Sequence, residues 1–236
     1  MTDSTAGTPG GDPGPRPRAR SFHGRPPEGP GLRLFFAAPV PDRATALVQG
    51  LVSSLRATEA DGPVGEQPER RRPGEVRWVR LDQLHVTLRF LGPTPDERLP
   101  GLGELLQEAA ATVAPFPVAV QGAGAFPRVE RPRALWLGIE DPSAGLGRLA
   151  DVLDRRLVEQ GWPHEERPYR PHLTLARTDG VRSGPSVARR LIAAAATLDA
   201  RFTVDRVVLY ESLTGGGPAR YVPHAVAALR GPLTTG

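Results

Sequence analysis

The sequence predicts a protein of mixed helices and strands, built as two similar lobes around a central cleft. The evidence is a pattern that occurs twice: a strand, a helix, and a second strand that carries a His-x-Thr-Leu motif. The motifs are His85-Val86-Thr87-Leu88 and, 87 positions later, His172-Leu173-Thr174-Leu175. Because side chains alternate along a strand, each motif places His and Thr on one face and two apolar side chains on the other. Two lobes related by a pseudo-twofold axis would each present one His-Thr pair to the cleft.

The first half of the chain divides into elements at its proline, glycine and capping residues. The predicted elements are strands at 32–38, 76–79 and 84–91, a helix from Asp42 to about Arg56, and a helix to about Val113 that opens with a capping box at 94–97. The strand at 84–91 carries the first motif and ends at Gly92-Pro93. Pro100 indicates that the second helix starts after its capping box.

The second half mirrors the first. Its predicted elements are strands at 117–120 and 133–139 with a turn at 122–127 between them, a helix from Ser143 to Gly161, the second motif strand, a helix at 186–198, and a hairpin of strands 202–210 and 220–229. The helix that Ser143 caps carries an apolar stripe at helical spacing. Its members are Leu146, Leu149, Leu153, Leu157 and Val158.

Two segments have the composition of chain that does not pack into a core. Residues 1–30 are rich in Gly, Pro, Arg, Ser and Thr, and residues 58–75 are polar and rich in Pro and Gly. The first predicts a disordered tail and the second an exposed loop, because neither offers enough apolar surface to offset the entropy of ordering. We therefore expect one bilobal domain at 31–233.

Composition limits the classes of function. The chain has no Cys, which excludes disulfides and thiol chemistry, and its net charge is only +4. Contact with nucleic acid must therefore depend on where Arg side chains lie rather than on overall basicity. No apolar run suits a secretory signal or a membrane span, so we expect a cytoplasmic protein.

The paired motifs favour acid-base catalysis on a phosphodiester. Imidazole has an ordinary pKa of about 6.5, so one His can donate a proton while another accepts one. Thr87 and Thr174 would donate hydrogen bonds to phosphate oxygens. Alternatives remain at this stage: the histidines could be structural, a metal could bind although two His and no Cys make a poor ligand set, or the site could bind RNA ends without turnover.

The motifs and their flanks resemble the 2H phosphoesterase superfamily, specifically its RNA 2′,3′-cyclic phosphodiesterase group, also called 2′-5′ RNA ligases. The segments that carry the resemblance are Arg33 to Ala37, Arg77 to Val79, Leu84 to Gly92, Phe126-Pro127, Arg131 to Gly138, Arg170 to Arg177, and Tyr210 to Ser212. The resemblance implies an α+β fold with two lobes of mainly antiparallel sheet, helices outside, and no metal or other cofactor. It also implies hydrolysis of a terminal 2′,3′-cyclic phosphate on RNA or a nucleotide to a 2′-phosphomonoester, with formation or cleavage of 2′-5′ linkages as a variant.

The same resemblance assigns roles to the two histidines. His85 would be the proton donor to the leaving 3′ oxygen and His172 the base toward water. Alternation along the strand places Arg89 on the face of His85 and Arg177 on the opposite face unless a bulge intervenes, so Arg89 and Arg170 are the predicted phosphate or RNA contacts. We expect the remaining histidines to be non-catalytic, and the protein to act as a monomer without contact with a membrane.

Overall fold

The structure is a computed structural model that describes residues 31–60, 76–215 and 217–232. These residues form nine strands and four α-helices. The strands are β1 Leu32–Pro39, β2 Arg77–Trp78, β3 His85–Thr94, β4 Phe116–Phe126, β5 Ala134–Glu140, β6 His172–Arg177, β7 Ala200–Val204, β8 Arg206–Leu213 and β9 Arg220–Ala228. The helices are α1 Asp42–Ala60, α2 Leu99–Ala110, α3 Gly145–Glu159 and α4 Gly184–Ala195.

The strands make one antiparallel sheet with an internal symmetry. Its order is β7-β4-β5-β6-β3-β1-β8-β9. Strand β2 pairs with the end of β6, on the side opposite β5. The two motif strands, β3 and β6, meet at the centre through the single pair Val86 and Leu173. We call β3, β1, β8 and β9 lobe 1, and β6, β5, β4 and β7 lobe 2. The predicted pair of similar antiparallel lobes, with helices packed on the sheet, is confirmed.

The lobes are not consecutive halves of the chain, because their helices are exchanged. Helix α1 follows β1 of lobe 1 but packs against α4 and β7 of lobe 2. Helix α3 follows β5 of lobe 2 but packs against α2 and β3 of lobe 1. The exchange is itself symmetric, and it places apolar helix faces from each half over the sheet of the other.

The core lies between the sheet and these helices. Four leucines of the predicted stripe on α3, Leu146, Leu149, Leu153 and Leu157, are fully buried, whereas Val158 is exposed. The start of α3 is held by two side chains rather than one: Leu146 N–H donates to Asp141 Oδ2 at 2.7 Å and Gly145 N–H donates to Ser143 Oγ at 3.2 Å. Gly161, with φ of 91°, ends the helix as predicted.

The predicted capping box at 94–97 is wrong. Strand β3 continues through Gly92 and Pro93 to Thr94, which is buried. The hydroxyl of Thr94 donates to the carbonyl of Gly92 at 3.2 Å instead of capping a helix. A short 3-10 turn at Asp96–Arg98 follows, and α2 begins at Leu99 with Pro100 in its first turn. Strand pairing with β1 therefore prevailed over the local capping signal.

A predicted turn and a predicted strand are also corrected. The stretch 122–126, predicted as a turn, belongs to β4, and the ladder to β5 has a bulge between Val120 and Ala123. Gly122 has φ of 72°, which a glycine adopts without strain. The predicted strand 202–210 is two strands separated by Asp205, with β7 paired to β4 in lobe 2 and β8 paired to β1 in lobe 1. The chain therefore crosses between the lobes at Asp205.

The predicted tail at 1–30 and residues 61–75 of the predicted loop lie outside the described residues. Helix α1 extends to Ala60, so residues 58–60 of that loop are helical. Among the described helices, none has the length and apolar character needed to cross a membrane.

Candidate active site

The two motifs face each other across the centre of the sheet. Because β3 and β6 are antiparallel and Val86 is opposite Leu173, His85 lies opposite Thr174 and Thr87 lies opposite His172. The alternating side chains behave as predicted: Val86, Leu88, Leu173 and Leu175 are buried, and both His-Thr pairs are on the other face. The sheet thus brings together four polar side chains from positions far apart in the sequence.

The pairing geometry sets the size of this cluster. Side chains directly opposite in an antiparallel ladder have Cβ atoms about 5 Å apart, and diagonal neighbours such as His85 and His172 are about 7–8 Å apart. A tetrahedral phosphate fits between two imidazoles at that separation. Neither threonine hydroxyl is hydrogen-bonded to another of the described residues, so both are available to a ligand.

Each imidazole is oriented by the same backbone contact. His85 Nδ1 lies 2.9 Å from the carbonyl oxygen of Gln83, and His172 Nδ1 lies 2.7 Å from that of Arg170. A carbonyl only accepts, so Nδ1 carries the hydrogen in both rings. Nε2 of each ring is then the nitrogen that gains or loses a proton, and it is the atom that is left for chemistry.

His85 lies in an aromatic wall contributed by lobe 1. Its ring centroid is 5.0 Å from that of Phe35, 6.1 Å from Tyr210 and 4.8 Å from Tyr221. Burial lowers the pKa of His85 to about 4, the bond to the Gln83 carbonyl opposes this shift, and the charge on His172 adds to it. The side chain of Gln83 also fixes Tyr221: its amide nitrogen donates to Tyr221 O at 2.9 Å, and its oxygen accepts from Tyr221 N–H at 3.0 Å.

His172 lies in a matching wall from lobe 2. Its centroid is 5.2 Å from Phe126 and 6.3 Å from Trp136. Burial lowers the pKa of His172, and the nearby Arg177 guanidinium lowers it further. A Cβ on Gly124 would lie 2.4 Å from Cζ2 of Trp136, so this glycine is what allows the indole to lie flat on β4.

A bulge at the same place in both motif strands decides where the arginines lie. Along β1, Ala37 is opposite Thr87 but Phe36 is opposite Arg89; along β5, Trp136 is opposite Thr174 but Leu135 is opposite Ala176. The extra residue after each threonine reverses the alternation that follows it. The prediction that Arg89 shares the face of His85 is therefore corrected. Arg177 takes the cleft side instead, where it influences His172 and Tyr221.

Arg89 is engaged on the other side of the sheet. Its Nε donates to Asp154 Oδ1 at 2.8 Å, its Nη1 to the carbonyl of Phe90 at 2.7 Å, and its Nη2 to that of Pro163 at 2.5 Å. The structure does not bring Arg89 to the histidines. Arg170 contributes its carbonyl to His172, and its side chain is exposed.

The other histidines are not part of this cluster. His164 binds Asp154 through Nδ1, and His224 Nε2 lies 2.9 Å from Glu211 Oε2. His23 lies outside the described residues. The described part of the chain contains no group of three or more His, Asp or Glu side chains suited to a metal ion.

Sequence reasoning did not find Phe35, Tyr221 or the cleft position of Arg177. Phe35 and Tyr221 reach His85 only through strand pairing, from 50 positions before it and 136 after it. Three aromatic residues lie in the segments that carry the resemblance: Phe126 and Tyr210 line the walls, whereas Trp78 is covered by the guanidinium of Arg56 at 5.2 Å.

Comparison with known proteins shows the family of the chain. The profile of the 2′-5′ RNA ligase superfamily matches residues 63–216. The chain belongs to this superfamily. It is 34% identical over 116 residues to the RNA 2′,3′-cyclic phosphodiesterase of Aeropyrum pernix, covering 49% of this chain and 65% of that protein. It is 30% identical over 193 residues to the protein of the same name from Escherichia coli, covering 81% of this chain and 93% of that protein.

Solved structures with the same fold cover most of this chain. TT0787 of Thermus thermophilus superposes with a TM-score of 0.63 at 27% identity, covering 85% of this chain and 99% of that one. Escherichia coli LigT complexed with 3′-AMP superposes with a TM-score of 0.59 at 29% identity, covering 84% of this chain and 98% of that one. The match covers less of some relatives: it spans 42% of the RNA 2′,3′-cyclic phosphodiesterase of Geobacillus stearothermophilus.

Proposed function

We propose that this member of the 2′-5′ RNA ligase superfamily hydrolyses 2′,3′-cyclic phosphate ends of RNA or nucleotides to 2′-phosphomonoesters. The observation that carries the proposal is the pair of imidazoles, each with Nδ1 bound to a backbone carbonyl and Nε2 free on the cleft face. Opening a cyclic phosphate requires one proton to leave water and another to reach the departing oxygen. Two imidazoles on opposite sides of one phosphate supply both transfers.

The reaction is a displacement at phosphorus. His172 Nε2 takes a proton from water as the water oxygen bonds to phosphorus. The bond from phosphorus to the 3′ oxygen breaks, and His85 Nε2 gives that oxygen its proton. The product keeps phosphate on the 2′ oxygen, and one proton has moved from His85 to His172, so the pair returns to its starting state by exchange with solvent.

The threonines stabilise the charge that develops on the phosphate. Each hydroxyl is opposite the histidine of the other motif, so the two donate to non-bridging oxygens from opposite sides. Positive charge lies near the same space, because the Arg177 guanidinium lowers the pKa of His172 and opposes the rise that burial causes in the pKa of Tyr221. This electrostatic field favours a phosphate anion.

The test is incubation of the pure protein with each nucleoside 2′,3′-cyclic monophosphate and with an oligonucleotide that ends in a cyclic phosphate. We expect the 2′-monophosphate as product, identified by chromatography against the 2′ and 3′ isomers, with one oxygen from labelled water on phosphorus. A 3′-monophosphate would reverse the assignment of the leaving oxygen. Tight binding without ring opening would support the alternative of an RNA-end binding protein.

A matched control separates the site from histidine content in general. His224 pairs with Glu211 outside the cluster, so His224→Asn is expected to keep full turnover. His172→Asn, an equal change of side chain inside the cluster, is expected to lose it. Equal rates for the two variants would remove His172 from the reaction.

A further inference from the structure

Arg33 lies on the cleft face of lobe 1, beyond the aromatic wall. Along β1, Leu34, Phe36 and Ala38 enter the core, whereas Phe35 lies against His85. Strand alternation therefore places Arg33 on the face of Phe35. Residues two apart on a strand are separated by about 7 Å, so Arg33 lies about that far beyond Phe35, whose ring is against His85.

Its neighbours in the two ladders are Pro93 and Ser212, and no acid among the described residues pairs with it. The register that pairs Leu34 with Glu211 brings Arg33 beside Ser212, and Ser212 is paired in turn with Tyr221. Glu211, the nearest acid in the sequence of β8, is on the opposite face, where it binds His224. Among the described residues Arg33 has no ion pair and no hydrogen bond from its side chain, and its Nε is buried without a partner.

An unpaired donor in this position is costly unless a ligand satisfies it. A buried guanidinium N–H without an acceptor loses the hydrogen bond it had with water. Arginine is also the side chain best suited to a phosphate, because its planar donors match two phosphate oxygens at once. The arrangement of Arg33 beside Ser212 thus fits an anion that is absent from the polypeptide itself.

The chemistry of the proposed substrate identifies that anion. In an RNA that ends in a 2′,3′-cyclic phosphate, the terminal nucleotide carries one other phosphate, on its own 5′ oxygen. With the cyclic phosphate between the histidines and the base against the aromatic wall, the 5′ phosphate lies one nucleotide length from the reacting phosphorus. Arg33 lies next in line to the residues that contact His85: it is next to Phe35 on its face of β1, and it is beside Ser212, the strand partner of Tyr221.

We propose that Arg33, assisted by Ser212, binds the 5′ phosphate of the terminal nucleotide, so that the site prefers RNA ends to cyclic mononucleosides. The proposal rests on the cyclic phosphodiesterase activity proposed above. Arg33 is a binding residue for this phosphate and takes no part in the proton transfers. The 5′ phosphate therefore contributes binding energy remote from the reacting bond, which raises kcat/KM for substrates that carry it.

The experiment compares two substrates that differ by this phosphate alone: adenosine 2′,3′-cyclic phosphate, and the same molecule with a 5′-monophosphate. We expect kcat/KM of the wild-type protein to be about 10- to 100-fold higher with the 5′ phosphate, the range for one charge-assisted contact. Arg33→Gln should remove this preference and keep kcat/KM for the unphosphorylated substrate within about twofold. Arg33→Lys should keep part of the preference, and Arg43→Gln, at an exposed position on α1, should keep all of it.

Each result decides between the two proposals. Equal kcat/KM of the wild-type protein for both substrates, or an equal loss on both in Arg33→Gln, would overturn the role of Arg33 while leaving the cyclic phosphodiesterase activity in place. Absence of ring opening with either substrate would overturn the activity. In that case the affinities for adenosine 2′-monophosphate and adenosine 2′,5′-bisphosphate, measured calorimetrically, still test Arg33: its role requires tighter binding of the bisphosphate, lost in Arg33→Gln.

Discussion

The Nδ1 bonds of His85 and His172 to carbonyls two residues before them fix which ring nitrogen is available. Without this bond a neutral imidazole exchanges its proton between Nδ1 and Nε2 and its ring can flip, so part of its population presents the wrong atom to the substrate. Each bond joins the first residue of its strand to a carbonyl two residues earlier, so the orientation of the ring depends on a very short stretch of chain.

We expect either single substitution, His85→Ala or His172→Ala, to lower turnover by about 10²- to 10⁴-fold, the usual range for loss of a general acid or base. The double variant should lose far less than the product of the two losses, because the effects of groups that act in one displacement are not additive.

Thr87→Ala and Thr174→Ala should cost about 2–3 kcal/mol each in transition-state stabilisation. Single-turnover kinetics measures the rate of the chemical step in all five variants. Near-normal turnover in a folded His variant would contradict the mechanism for that residue.

The lowered pKa values of the pair predict an acidic optimum for kcat/KM. This parameter reports the free protein, where burial holds the pKa of His85 at about 4 and that of His172 below 6.5. Above the higher coupled pKa the pair has no proton to give, and below the lower one it has no base. The maximum should therefore lie below pH 6.5.

Substrate binding should move this profile. A phosphate anion between the imidazoles favours their charged forms and raises both pKa values, so the limbs of kcat should lie at higher pH than those of kcat/KM. Rates measured from about pH 3.5 to 8.5 give both profiles. A maximum of kcat/KM above pH 7, or limbs of kcat on the acid side, would contradict this account.

At the scale of single elements, the bulge in β3 has a structural consequence for lobe 1. It turns Arg89 toward α3, where the guanidinium meets Asp154 in the interior. Burial by itself would raise the pKa of Asp154, but hydrogen bonds from Arg89, Glu165 N–H and His164 hold it below its ordinary value. The pair joins the first motif strand to the segment that leads into the second motif.

Asp154→Asn is expected to destabilise the protein by about 3–5 kcal/mol, because the buried Arg89 charge then keeps only the more distant Glu165, 3.8 Å from its Nη1, as a counter-charge. The double variant Arg89→Met/Asp154→Leu should lose much less, since no charge then remains in the interior. Urea unfolding monitored by circular dichroism gives these values. The matched control is Glu108→Gln in the exposed pair with Arg156, which should change stability by less than about 1 kcal/mol. A similar small change in Asp154→Asn would show that the buried pair contributes little.

At the scale of the whole molecule, exchange of α1 and α3 makes each lobe depend on the other. Helix α1 packs its apolar face against lobe 2, and helix α3 packs its four buried leucines against lobe 1. If the sheet of one lobe unfolds, the apolar face of the helix that packs on it is exposed, and that helix follows a strand of the other lobe. Both His-Thr pairs are thereby held in one cooperative unit.

We therefore expect thermal unfolding to be a single transition, with the calorimetric enthalpy equal to the van't Hoff enthalpy. Differential scanning calorimetry measures both quantities in one scan. Two resolved transitions, or a van't Hoff enthalpy well below the calorimetric one, would show that the lobes unfold separately.

The sequence by itself determined the repeated strand-helix-strand pattern, the two His-x-Thr-Leu motifs and the face on which each His-Thr pair lies. These depend on alternation along a strand and on apolar spacing, which are local properties of the chain. The leucine stripe of α3 and its end at Gly161 were predictable for the same reason.

Only the tertiary structure decided the positions of Arg89, Arg177, Phe35 and Tyr221. A one-residue bulge reverses every side chain that follows it, and whether a strand bulges depends on its partner strand. The choice of partner for β7 and β8, and the lobe covered by α1 and α3, likewise depends on surfaces formed by residues far away in the sequence. These pairings depend on contacts between residues distant in the sequence, so no local stretch of the chain predicts them.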